Sequence, residues 1–207
     1  MNLKTLLGQQ PVMPVLVIER LEQAVPLARC LAEAGLPVLE ITLRTAVALK
    51  AITLICEALP ALVVGAGTVL NADDMARASD AGAQFLVSPG STNNLLKAAT
   101  QQPLPWLPGV STASEAMTCL DHGFTELKLF PAEAVGGVRL LKSLAGPLPQ
   151  LTFCPTGGIA SGNAASYLAL GNVVCIGGSW MATPELLRCG DWTTISTLAS
   201  AAARLRG

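Results

Sequence analysis

Short apolar runs recur along this chain at a nearly regular interval, and the stretches between them carry apolar residues at helical spacing. The runs read VMPVLVI (12–18), VLEITL (38–43), LVVGAGT (62–68), FLVSPG (85–90), WLPGVS (106–111), ELKLFP (126–131), TFCPTGG (152–158) and VVCIGG (173–178), with starts 20–26 residues apart. That interval is the length of one strand, one helix and two short loops. The intervening LEQAVPLARCLAEA and NADDMARASDA each place their apolar residues on one helical face. Several runs follow the same punctuation, EAGLPVLE, DAGAQFLV and DHGFTELK, whose glycine suits a helix C-terminus feeding a strand because it can take positive φ. Asn71 is placed to cap the helix after the third run, with Asp73 and Asp74 in its first turn. Eight such units in 207 residues predict an α/β fold, a closed parallel (β/α)8 TIM barrel, with an open doubly wound sheet as the runner-up. The segment before residue 12 predicts a short extra helix across the barrel floor. No linker, charge block or low-complexity stretch divides the chain, so a single domain over 1–207 is expected.

Composition narrows the picture. Hydrophobic residues make up 51% of the chain and aromatics only 4%, so the interior must be built from Val, Leu, Ile and Ala. That suits a parallel sheet covered by helices on its outer face. No apolar run reaches the roughly 18–20 residues needed to span a bilayer. The start, MNLKTLLGQQPVMP, lacks a cleavage-like end, so no signal peptide and a cytoplasmic location are expected. A net charge of −1 with no basic cluster argues against nucleic acid or an anionic membrane as partner. The six cysteines form no CxxC pair and are expected to be buried, reduced thiols. The one histidine, His122, precedes Gly123 at a predicted helix C-terminus, where a structural role beside the helix dipole is expected. No His/Cys set at zinc spacing and no nucleophile elbow is present, so neither a metal nor another cofactor is expected. Catalysis would rest on carboxylate, lysine or backbone groups.

Those groups are sought where polar residues break the apolar runs, near the C-terminal ends of strands. Period-two alternation in VLEITLR puts Leu39, Ile41 and Leu43 on the face that meets the helices, leaving Glu40, Thr42 and Arg44 inside the barrel. In ELKLFP it sends Leu127 and Leu129 outward and Glu126, Lys128 and Phe130 inward. A mid-strand lysine aimed at a barrel interior is either half of a buried ion pair with Glu40 or an amine that desolvation helps to keep neutral and nucleophilic. An amine and a carboxylate facing one cavity are the parts that enamine chemistry needs. The last two strands end in Thr156-Gly157-Gly158-Ile159 and Gly177-Gly178-Ser179. Glycines there permit tight turns, and they also let backbone N–H groups approach a phosphate, as late barrel strands commonly do. Gly65-Ala66-Gly67-Thr68 lacks the third glycine of a dinucleotide fingerprint and is expected to be a pocket wall, with Val64, Ala66 and Thr68 pointing inward.

The motifs VLEITLRT, GAGTVLN, SPG, PGVST, KLFPAE, CPTGGI and CIGGSW, in this order and spacing, strongly resemble the 2-keto-3-deoxy-6-phosphogluconate (KDPG)/4-hydroxy-2-oxoglutarate aldolase family of class I, Schiff-base lyases. The resemblance covers nearly the whole chain. It implies a (β/α)8 barrel, commonly a homotrimer, that takes a phosphorylated keto acid from the Entner–Doudoroff pathway. By it Lys128 matches the Schiff-base lysine and Glu40 the general acid/base. Arg44 and Thr68 match the groups that hold the substrate carboxylate, with Pro89 and Phe130 lining the pocket. Thr156, Gly157, Gly158, Gly178 and Ser179 match the distal hydroxyl and phosphate site. Two other enzymes remain open at this stage, the galactonate-type aldolase with opposite C4 configuration and an aldolase for 4-hydroxy-2-oxoglutarate. So does a non-catalytic phosphate-binding barrel, against which a costly buried amine argues.

Overall fold

The computed structural model describes residues 2–206, so the two end residues of the expected 1–207 domain, Met1 and Gly207, lie outside it. The strands are β1 (Val12–Leu16), β2 (Val38–Thr42), β3 (Val63–Gly67), β4 (Phe85–Val87), β5 (Trp106–Leu107), β6 (Gly109–Val110), β7 (Glu126–Leu129), β8 (Thr152–Phe153) and β9 (Ile176–Gly178). All pair in parallel, in the orders β5-β4-β3-β2-β1-β9 and β6-β7-β8. β5 and β6 are one apolar run interrupted at Pro108, which has no N–H to give a ladder. Isolated bridges from Phe153 to Val173 and from Thr156 to Gly177 join the β8 run to the β9 run. The expected eight strand positions thus form the α/β barrel.

Two apolar layers follow from the alternation. The larger lies between strands and helices and holds Leu39, Ile41, Val64, Ala66, Leu127 and Leu129. The smaller fills the barrel interior with Met13, Val38, Phe85, Val87, Leu107, Cys154 and Cys175, and Leu3, Leu6 and Leu7 of α1 (Leu3–Leu7) join it from below. The floor helix is therefore present, and the buried amide of Gln10 ties it to the strands. Its Nε2 donates to the carbonyls of Val12 (2.8 Å) and Val38 (2.7 Å), and its Oε1 accepts from the Val38 N–H (2.9 Å).

Local signals read in the sequence reappear. Asn71 Oδ1 accepts from the Asp74 N–H at 2.9 Å and starts α4 (Ala72–Asp80). Gly35, Gly82 and Gly123 take φ of +94°, +95° and +86°. His122 ends α6 (Ala113–Asp121), its Nδ1 2.9 Å from the Thr118 carbonyl. The cysteines need a correction. All six are free, but only Cys119, Cys154 and Cys175 are buried, Cys30 and Cys56 are half-buried, and Cys189 is exposed. Cys189 sits at the end of the short α9 (Pro184–Cys189), on the side that faces away from the core. No helix among the described residues is long and apolar enough to cross a membrane.

Candidate active site

Glu40 on β2 and Lys128 on β7 are held inside the barrel by their outward-facing neighbours. Leu39 and Ile41 flank the first, Leu127 and Leu129 the second, and burial of those leucines and isoleucine fixes the strand phase. Glu40 is 0% exposed and Lys128 5%. Lys128 Nζ lies 3.3 Å from Glu40 Oε1 and 5.4 Å from the centre of the Phe130 ring. The second carboxylate oxygen, Oε2, is buried and has no hydrogen-bond partner among the described residues. A buried pair gains little net stability, and an incompletely satisfied one is poor structural glue. Its retention here points to chemistry. Cys175 lies close enough for the Glu40 charge to act on it. Its thiol is pushed well above the usual range by its hydrogen bond to Cys154, then by burial, then by nearby charge including that of Glu40.

The room for Glu40 comes from β3. A Cβ built on Gly67 would meet the Glu40 carboxylate, with Cγ and Cδ both at 2.6 Å. At Gly65 the same position is filled by the Phe85 ring. The inward face of β3 is therefore Gly65 and Gly67, whereas Val64 and Ala66 belong to the outer layer. The expectation that Val64 and Ala66 face inward is overturned, because two glycines carry no side chain by which the phase could be read. Thr68 then leaves the alternation altogether. It has φ +58°, the one positive value at a non-glycine among the described residues. Such a conformation in a β-branched residue costs on the order of 1–3 kcal/mol and persists only where the surroundings impose it.

Above the pair opens a cleft of about 220 Å³ whose walls include Arg44, Phe130, Thr156, Gly157, Gly158, Gly178 and Ser179. Seven of the expected site residues thus share one concavity. Ile159 and Gly177, named in the two strand-end runs, line it as well, and so does Val15, which was not singled out from the sequence. Glu40 and Lys128 lie deeper, four and two residues before Arg44 and Phe130, which follow the ends of β2 and β7. Thr68 and Pro89 are half-buried beyond the ends of β3 and β4 and do not line the cleft. Thr42, expected inside, is buried with its hydroxyl donated to the Leu16 carbonyl at 2.9 Å. Arg44 is exposed at the mouth. A larger groove of about 720 Å³ between α2 (Ala24–Glu33) and α10 (Trp192–Ala203) contains none of these residues.

The glycine runs behave differently from each other. Gly157 and Gly158 turn the chain with φ of +104° and +77°. Gly177 and Gly178 are in β9, where close neighbours exclude a side chain: the Thr156 side chain lies against the first and the Trp180 ring against the second. Thr156 Oγ1 is buried without a partner, and the N–H groups of Gly158 and Ser179 donate to no protein acceptor among the described residues. Unpaired donors converging on a cleft with an arginine at its rim suit an anion.

Fold and site together define a (β/α)8 barrel of the enzyme class that sets a buried amine and carboxylate beneath a cleft with an arginine at its rim. The family model for KDPG and KHG aldolase matches residues 3–198, and the chain belongs to that family. It is 51% identical over 196 residues, 95% of this chain and 92% of the relative, to the KHG/KDPG aldolase of Escherichia coli (strain K12). Its structure is similar to that of the KDPG aldolase from Legionella pneumophila with pyruvate captured at low pH as a covalent carbinolamine intermediate. The TM-score is 0.96, with 43% identity and 98% of each chain covered. The Zymomonas mobilis ZM4 aldolase with 3-phosphoglycerate matches with TM-score 0.92, 45% identity and 99% and 96% of the two chains.

Proposed function

We propose that this chain is a class I aldolase that cleaves KDPG to pyruvate and glyceraldehyde 3-phosphate through a Schiff base on Lys128, and that it also cleaves 4-hydroxy-2-oxoglutarate to pyruvate and glyoxylate. The observation that carries the reading is the buried Lys128–Glu40 contact of 3.3 Å, with the second Glu40 oxygen unpartnered beside it. The Lys128 amine adds to the C2 ketone, and loss of water leaves a protonated imine. Glu40 takes the C4 hydroxyl proton, the C3–C4 bond breaks, and its electron pair moves into the imine to give an enamine while the aldehyde leaves. Protonation of the enamine at C3, with Glu40 as donor, and hydrolysis release pyruvate and restore the amine. The iminium is the electron sink, so the scheme calls for no metal or other cofactor.

Arg44 and Thr68 hold the substrate carboxylate, Pro89 and Phe130 shape the pocket, and Thr156, Gly157, Gly158, Gly178 and Ser179 receive the distal hydroxyl and phosphate. The pyruvate adduct of the Legionella aldolase and the phosphorylated ligand of the Zymomonas aldolase support these two halves of the site. The chain acts as one domain, as a homotrimer in the cytoplasm; six free thiols suit a reducing compartment.

Pyruvate and borohydride added together test the reading. One reduced pyruvyl group on Lys128 and loss of activity are expected. A label on Lys50, Lys97 or Lys142 instead would sink the assignment to Lys128, and no label at all would return the chain to the non-catalytic alternative. Comparing KDPG with its C4 epimer separates gluconate from galactonate preference.

A further inference from the structure

Behind the cleft lies a second polar contact, half-buried, that the reaction scheme does not use. Tyr167, the one tyrosine of the chain, is fully buried on α8 (Ala164–Leu168), and its hydroxyl donates to Glu133 Oε1. Glu133 ends the KLFPAE run that begins at Lys128, and it opens the 3-10 turn Glu133–Val135. That turn is bonded to the loop at the cleft. The Ala132 N–H donates to the Thr156 carbonyl at 2.8 Å and the Glu133 N–H to the Gly157 carbonyl at 3.1 Å. The Glu133 side chain also backs Gly158, where a Cβ would lie 2.7 Å from its Cβ and Cγ. On the far side Asn163 donates to the Gly158 carbonyl at 3.1 Å and accepts from the Ala160 N–H at 2.8 Å.

Two adjacent glycines with positive φ, Gly136 at +111° and Gly137 at +50°, leave room for the contact. A Cβ on Gly137 would run into the Tyr167 hydroxyl and lie 3.1 Å from Glu133 Oε1. Phenylalanine would fill the same apolar space without any demand on Glu133. The hydroxyl is therefore in place for its hydrogen bond.

We infer that Tyr167 and Glu133 are positioning residues that hold the Thr156–Gly158 loop in register with the phosphate end of the substrate. The inference rests on the aldolase reading above. Burial of the phenol anchors the carboxylate, the carboxylate anchors the turn, and the turn sets the carbonyls of Thr156 and Gly157. Those in turn orient the unpartnered Thr156 hydroxyl and Gly158 N–H toward the cleft. A short substrate without phosphate leaves most of this arrangement unused.

The test compares Tyr167→Phe, Glu133→Ala and Glu133→Gln with wild type on KDPG and on 4-hydroxy-2-oxoglutarate, together with borohydride trapping of pyruvate. For Tyr167→Phe and Glu133→Ala, kcat/KM on KDPG should fall about 10–100-fold, mainly through KM, as expected for loss of one charged hydrogen bond that sets a loop. The short substrate and the trapping rate should stay near wild type. Glu133→Gln keeps an acceptor for the phenol and should restore most of the KDPG activity. Equal losses on both substrates, unchanged KM for KDPG, or no rescue by Gln would overturn the inference and leave a purely structural contact. Should Tyr167→Phe fail to fold, Glu133→Ala, whose residue is exposed, gives the same decision. A wild-type chain that does not trap pyruvate overturns the aldolase reading itself, and the inference with it.

Discussion

The carboxylate of Glu40 lies in the space that a side chain at residue 67 would need. The two residues face each other across β2 and β3, two residues apart in register, since Glu40 pairs with Gly65 and Thr42 with Gly67. A glycine at position 67 is thus a condition for the Glu40–Lys128 contact. Gly67→Ala should leave the barrel folded at a cost of about 1–3 kcal/mol from overpacking. It should also push the carboxylate off the amine and lower cleavage by about 10²–10⁴, the usual worth of a positioned proton carrier. Kinetics with KDPG beside urea unfolding would check both parts. Full activity with alanine there would mean that Glu40 works from another position.

Removing either member of the buried pair should have unequal effects on fold and on chemistry. Lys128→Met leaves a buried carboxylate without its cation, a change worth about 3–5 kcal/mol of stability. Adding Glu40→Gln to the same chain should recover much of that loss, while neither chain cleaves substrate. Glu40→Gln alone should still trap pyruvate with borohydride but turn over about 10²–10⁴ more slowly. Additive destabilisation in the double variant would show that the two side chains do not sense each other.

The mouth of the cleft should distinguish the long substrate from the short one. Ser179→Ala removes a hydroxyl beside unpaired backbone donors, and a differential loss of about 1.5–3 kcal/mol in kcat/KM is expected for KDPG relative to 4-hydroxy-2-oxoglutarate. A side chain at residue 158 should act in the same sense, because it would meet Glu133 and block close approach of an anion. Equal losses on the two substrates would assign these loops to general pocket shape.

Because Tyr167 is the one tyrosine, its ionisation can be followed without interference from another phenol. Burial first, and then the hydrogen bond and charge of Glu133, push the phenol far above its ordinary value of about 10. The folded state thus prefers the protonated form. Its contribution to stability is complete below about pH 10 and is lost as pH climbs from there toward the folded value. Phenolate absorbance should stay absent from the native chain as pH passes about 10 and rise together with unfolding. Ordinary titration in the folded chain would mean that the hydroxyl meets solvent.

Much of the site was legible because apolar neighbours carried its phase. Leu39 and Ile41, like Leu127 and Leu129, demand the helix-facing layer, so Glu40 and Lys128 had to point inward. Where those neighbours are missing the reading failed. In β3 the inward positions are glycines, and the apolar residues that seemed to mark the interior, Val64 and Ala66, mark the outer layer instead. The ends of strands were also overdrawn. The TFCPTGG run holds only the two-residue strand β8 before Pro155, and the WLPGVS run divides at Pro108.

The order of elements, the parallel barrel, the floor helix and the inward direction of Glu40 and Lys128 were determined by the sequence alone, because each depends on local periodicity and on turn residues. Only the tertiary structure decided that Glu40 and Lys128, 88 positions apart, stand 3.3 Å from each other, that Gly67 gives the carboxylate its space, and that Tyr167 reaches Glu133 behind the Thr156–Gly158 loop. Those distances are set by barrel closure, in which strands remote in the chain are brought to a common axis, and no local pattern encodes where residues that share no neighbour will meet.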